Sequence, residues 1–210
     1  MKTSHGRAFD HSDIIPRDQQ RLTALIGGSF DPIHNGHLHL ARELLKDPLI
    51  SVVAFLPVGR HHFKGDRAVL SYSNRAALIA RVLEPSMELW EDDASGNGFT
   101  ADLIRRLRIR CPEKRFAFVI GSDNLSQLPL WREYEWLREN LFFIVIPRPG
   151  YDLRMPEPAP RCLIKAIDAP DISSSQIRAL IASGKPLTGL LPQCIEEDVV
   201  KLYTQGEQHR

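Results

Sequence analysis

The chain has 210 residues, 43% of them hydrophobic and 25% charged, with 27 Lys and Arg against 26 Asp and Glu. This length suits one α/β domain, the composition is that of a globular protein rather than a disordered or fibrous one, and the even charge balance excludes a global field for nucleic acid or an acidic membrane. Cys111, Cys162 and Cys194 are far apart and lack CxxC spacing, so they read as buried thiols of a reducing cytoplasm; no apolar leader opens the chain and no run approaches the roughly 18 apolar residues of a membrane span.

Residues 1–20 are polar and unpatterned and are expected to form an N-terminal extension, with the folded domain over 21–205. From Leu22 onward, LTALI reads as a buried strand, GGSFDP as a loop and HLHLARELLK as a helix stopped by Asp47-Pro48. ISVVAFLP is the next strand and PVGRHHFKGD the next loop. Ser71 or Ser73 then caps a helix through NRAALIARVLE, which ends before Pro85. MELWE is a short strand, and Thr100 is expected to cap a helix through ADLIRRLRIRC. RFAFVI is an apolar strand that ends in Gly121-Ser122-Asp123. A segment rich in Trp and Arg leads to strand LFFIVI, and the Pro-rich RPGYDLRMPEPAP separates it from CLIKAID. The helix SSSQIRALIAS stops at Gly184, and Pro192 opens a last helix to about Tyr203.

Alternating strands and helices, with strands apolar throughout, predict a single-domain α/β fold with a Rossmann-like, doubly wound parallel sheet. Ligands of such sheets sit beyond the carboxyl ends of the strands, where GGSFDPIHNGH, PVGRHHFK, GSDNL and PDISSSQIR fall. Gly27-Gly28 allows a polyanion to approach the backbone closely, or is simply a strand-exit turn. His34 and His37, at the start of a helix, are placed to donate N–H groups to phosphate oxygens. A zinc site built from His34, His37, His61 and His62 is the competing reading, although the motif is not HExxH. Asp31 reads as a turn-former or an acid near magnesium. Ser173, Ser174 and Ser175 with Arg178 form either a simple N-cap or a second phosphate clamp. Trp131 is either core or a platform for a flat ring, and Arg105, Arg106, Arg108 and Arg110 read as a solvated basic face.

Taken together, GGSFDPIHNGH, FVIGSDNLSQLPLW, the RPG that follows and ISSSQIR resemble the nicotinate-nucleotide adenylyltransferase family of the nucleotidyltransferase superfamily. The likeness runs from Leu22 to Tyr203 and departs at HHFK and at Gly98-Phe99-Thr100, loops around the mononucleotide in that family, so nicotinamide mononucleotide and phosphopantetheine stay open as acceptors. It implies adenylyl transfer from ATP, with Mg2+, to nicotinate mononucleotide. It further implies His34, His37, Lys64 and Arg178 as catalytic groups. Gly27, Gly28, Ser29, Phe30, Gly121, Asp123, Ser174, Ser175 and Ile177 would lie on the ATP side, and Asp31, Thr100 and Trp131 on the side of the pyridine mononucleotide. A non-catalytic nucleotide sensor with the same fold is the remaining alternative.

Overall fold

The computed structural model describes residues 21–59 and 69–206. Six strands, β1 (Leu22–Gly28), β2 (Ile50–Pro57), β3 (Met87–Leu89), β4 (Arg115–Gly121), β5 (Phe142–Ile146) and β6 (Cys162–Ile164), form one sheet in the order β3-β2-β1-β4-β5-β6. All five pairings are parallel. The order reverses direction between β1 and β4, and this switch point is where a doubly wound sheet opens a crevice at its carboxyl edge.

The helices are α1 (Asn35–Leu45), α2 (Tyr72–Ala80), α3 (Thr100–Arg110), α4 (Tyr134–Asn140), α5 (Ser174–Ala182) and α6 (Gln193–Gly206). The two-residue period of each strand divides the core between the faces. Ala24 and Ile26 of β1 join Val53, Phe55, Val119 and Ile144 against α1, α2, α5 and α6. Leu25 joins Ala54, Leu56, Phe118 and Phe143 against α3 and α4. Burial on both faces is why these strands are apolar throughout.

Several boundaries differ from expectation. α2 is capped by Ser71, whose Oγ accepts from the Asn74 N–H at 3.2 Å, but it ends at Ala80, where the Val82 N–H tightens the turn onto Ile79 O at 3.0 Å. Thr100 is not a cap: Phe99 holds that place and Thr100 is the first helical residue of α3. Asn97 sets the boundary, accepting from the Phe99 N–H at 3.1 Å and donating to Asp102 Oδ2 at 2.5 Å. The strand expected over 162–168 keeps three residues, beside Phe143–Val145 of β5. The segment rich in Trp and Arg contains two 3-10 turns, Ser122–Asn124 and Leu128–Leu130, and then α4.

The arginines of α3 are partnered rather than merely solvated. Arg105 grips Glu133, Arg106 reaches Asp92 O, Arg108 reaches Asn140 O and Arg110 pairs with Asp92. Among the described residues, no helix is long and apolar enough to cross a membrane.

Candidate active site

Gly27 and Gly28 belong to the end of β1, in register with Leu56 and Pro57, and not to a loop. The turn begins at Phe30, whose φ of 49° is left-handed. The glycines are needed for space. A Cβ on Gly27 would lie 3.1 Å from the Phe118 ring, and one on Gly28 would lie 3.3 Å from the Phe30 ring. Phe30 is buried, edge-on to Phe55 and to His37, so it supports the loop from beneath.

His34, in extended conformation, caps α1, and its ring stacks on His37 with centroids 3.7 Å apart. The His34 backbone N–H donates to His37 Nδ1 at 3.3 Å, which puts the proton of a neutral His37 on Nε2. Burial, followed by the charge of Arg148, pulls the His34 pKa down to about 4. Burial, followed by His34 and then Arg148, holds His37 well below the usual histidine range. Both rings are therefore neutral donors near pH 7. His34 Nδ1 is buried and has no hydrogen-bond partner, and a Cβ on Gly36 would press to 3.1 Å of that ring.

The ISSSQIR segment lies directly against this loop. Ser173 caps α5, accepting from the Gln176 N–H at 3.1 Å. Ser174 Oγ donates to Pro32 O at 2.9 Å, and Arg178 donates to Asp31 O at 2.6 Å and to Ser175 Oγ at 3.1 Å. Ile177 is fully buried and its N–H is bound to Ser173 O, so its side chain packs under the site.

Asp31 is a structural hub. Its carboxylate accepts from the N–H groups of Val69 and Leu70 at 2.8 and 3.0 Å and from the Tyr203 hydroxyl at 2.7 Å, with Arg178 Nη1 at 3.8 Å. Both oxygens are thus engaged within the protein, which makes Asp31 an anchor of the loop. Arg75, which sequence reasoning passed over, is 2% exposed and donates to Ser29 O at 2.5 Å, Val58 O at 2.9 Å and Leu70 O at 3.3 Å. Its one sequence signal is a cation beside the buried Ala76, Leu78 and Ile79 of α2.

At the end of β4, Gly121 sits so close to its neighbours that a Cβ would be 2.4 Å from Arg148 Nε and 2.2 Å from Asp123 Oδ1. Asp123 Oδ1 and Arg148 Nε pair at 3.1 Å, and the Arg148 N–H donates to Ser122 Oγ at 2.9 Å. Arg148 lies in the RPG that follows β5 and was not singled out from the sequence. Trp131 is partly buried, edge-on to Phe118 at 6.1 Å, and Phe118 in turn abuts Gly27. The Arg132 guanidinium covers the Phe99 ring at 4.7 Å, bringing the Trp131 segment to the start of α3 at Thr100.

Lys64, His61 and His62 lie outside the described residues, as does the extension over 1–20. Among the described residues, no group of three or more His, Cys, Asp or Glu side chains is arranged to hold a metal ion.

The family model described as Cytidylyltransferase-like matches residues 25–180. A probable nicotinate-nucleotide adenylyltransferase of Halalkalibacterium halodurans is 33% identical over 193 residues, covering 89% of this chain and 93% of its own. One from Streptomyces coelicolor is 35% identical over 184 residues, covering 85% and 97%. Plasmodium falciparum nicotinic acid mononucleotide adenylyltransferase, solved in complex with NaAD, shares the fold with a TM-score of 0.72 at 20% identity, covering 90% of this chain and 98% of its own. The chain therefore belongs to the cytidylyltransferase-like family and, within it, to the nicotinate-nucleotide adenylyltransferases.

Proposed function

We propose that this crevice joins the adenylyl group of ATP to nicotinate mononucleotide, giving nicotinate adenine dinucleotide and pyrophosphate in NAD biosynthesis. The observation that carries this reading is the contact between the two motifs: Arg178 and Ser174 of α5 bind Asp31 O and Pro32 O beside a pair of neutral histidines, His34 buried and His37 partly buried. A phosphate oxygen of the acceptor attacks the α-phosphorus in line, the bond to the β-phosphate oxygen breaks, and its electrons leave with pyrophosphate. The acceptor is already anionic, so the protein supplies position and charge stabilisation rather than a nucleophile.

His37 Nε2–H, with His34, donates to the oxygens of the transferring phosphoryl group. Gly27, Gly28 and Ser29 allow the phosphate chain close to the backbone, and Arg178 with Ser174 and Ser175 faces the β- and γ-phosphates. Gly121 and Asp123 lie on the adenosine side, Thr100 and Trp131 flank the pyridine ring, and Lys64 neutralises charge near the transferred phosphate. A divalent ion enters with ATP, and we assign magnesium. The engaged carboxylate of Asp31 fits an ion carried by phosphates and water rather than by the protein. We place this chemistry in the cytoplasm, a reducing compartment that suits the unpaired Cys111, Cys162 and Cys194.

The test is pyrophosphate release from ATP with magnesium, comparing nicotinate mononucleotide, nicotinamide mononucleotide and phosphopantetheine at equal concentrations. Preference for the nicotinate form is expected. Preference for phosphopantetheine, or ATP binding without turnover on any acceptor, contradicts the proposal.

A further inference from the structure

Nicotinate and nicotinamide mononucleotides differ in one group, a ring carboxylate against a carboxamide. Selection between them calls for a cation whose N–H donors reach the edge of the ring. Three described arginines lie around Thr100 and Trp131. Arg105 grips Glu133 with two hydrogen bonds, at 3.1 and 2.6 Å, and Arg106 is drawn to Asp92 O and Asp93 on the other side of α3.

Arg132 is different. Its closest carboxylate oxygens, on Asp102 and Glu133, are both 3.9 Å away, beyond hydrogen-bond reach, and its side chain is 52% exposed. Those carboxylates already have partners: Asn97 and Arg105 for Asp102, and Arg105 for Glu133. The guanidinium packs on the face of Phe99, 4.7 Å from Cζ to the ring centroid, and its Nη1 and Nε, the atoms nearest Asp102 and Glu133, stay too far from those carboxylates to hydrogen-bond. The backbone beside it is in an uncommon conformation, with Glu133 left-handed at φ 60° and ψ 40°, a cost found often at ligand-binding positions. Phe99 and Arg132 each adjoin in sequence one of the two residues assigned to the pyridine ring, Thr100 and Trp131.

We propose that Arg132, held on Phe99, pairs with the ring carboxylate of the acceptor and thereby selects nicotinate over nicotinamide mononucleotide. This assignment rests on the acceptor reading above. A guanidinium–carboxylate pair gains charge and a two-point geometry that a neutral carboxamide cannot match.

The experiment measures kcat and KM with both mononucleotides, at saturating ATP, for the wild-type protein, R132A and R132K. R132A is expected to raise the KM for the nicotinate form about 10–100-fold, the usual loss of a charge-assisted hydrogen bond, with little change in kcat. The loss on the nicotinamide form should be at least about tenfold smaller, so that the ratio of the two kcat/KM values falls. R132K, which keeps the charge without the fork, should recover part of the ratio. The KM for ATP, measured in parallel, should stay within about twofold and reports that the remainder of the site is intact. A wild-type preference for nicotinate with an unchanged ratio in R132A overturns the assignment alone. A wild-type preference for nicotinamide overturns both the acceptor reading and this assignment.

Discussion

His37 is a neutral imidazole with its proton on Nε2, because its Nδ1 is occupied by the His34 backbone N–H and burial suppresses its charged form, and the proposed transfer uses it as a donor. Replacing it with alanine should lower kcat by about 10²–10³-fold, the loss expected for one transition-state donor, with a smaller effect on the KM for ATP. Steady-state pyrophosphate release reads this, and near-normal turnover would remove His37 from the mechanism. His34 carries a second expectation. Its folded pKa of about 4 lies below the 6.5 of an unfolded histidine, so between those values the unfolded chain binds more protons. Stability should therefore fall as the pH drops from about 6.5 toward 4, seen as a lower urea midpoint, and H34Q should flatten that slope. If wild type and H34Q showed the same slope, His34 would not be buried in its neutral form.

Between the elements, the site is held by contacts that cross most of the chain. Tyr203 of α6 donates to Asp31, 172 positions away, and Arg178 of α5 reaches the same residue over 147. Y203F removes one of the hydrogen bonds to a buried carboxylate, leaving Oδ1 with the Leu70 N–H alone, and should cost about 1–3 kcal/mol in chemical denaturation. R75M strips the donors from Ser29 O, Val58 O and Leu70 O at once and should cost about 3 kcal/mol or more, with loss of soluble protein as the extreme outcome. A stability close to wild type in either variant would contradict these roles. The same contacts explain what the sequence made legible. Apolar runs revealed β1, β2, β4 and β5 because both their faces are buried, and Ser71, Ser173 and Gly184 marked helix ends through local chemistry. The seven residues of α4 were too few and too polar to show a helical period, and Asn97 displaced the cap expected at Thr100. Asp31, Arg75 and Arg148 take their roles from partners distant in sequence, which no local pattern encodes.

Across the molecule, the strand order β3-β2-β1-β4-β5-β6 places the carboxyl ends of β1 and β4 side by side, and the later segments return to the same edge. Through Arg178, Ser174 and the hydroxyl of Tyr203, the last third of the chain closes over the first loop. GGSFDPIHNGH and ISSSQIR were legible as separate motifs, whereas their contact is a product of the fold. That arrangement calls for direct transfer between two bound nucleotides, without an adenylylated protein. The most direct test is the stereochemical course at the α-phosphorus, using chiral ATPαS with magnesium and nicotinate mononucleotide and resolving the configuration of the dinucleotide product. A single in-line displacement predicts inversion. Retention would mean two displacements through a covalent adenylyl-protein, and the account of neutral histidines acting only as donors would be wrong.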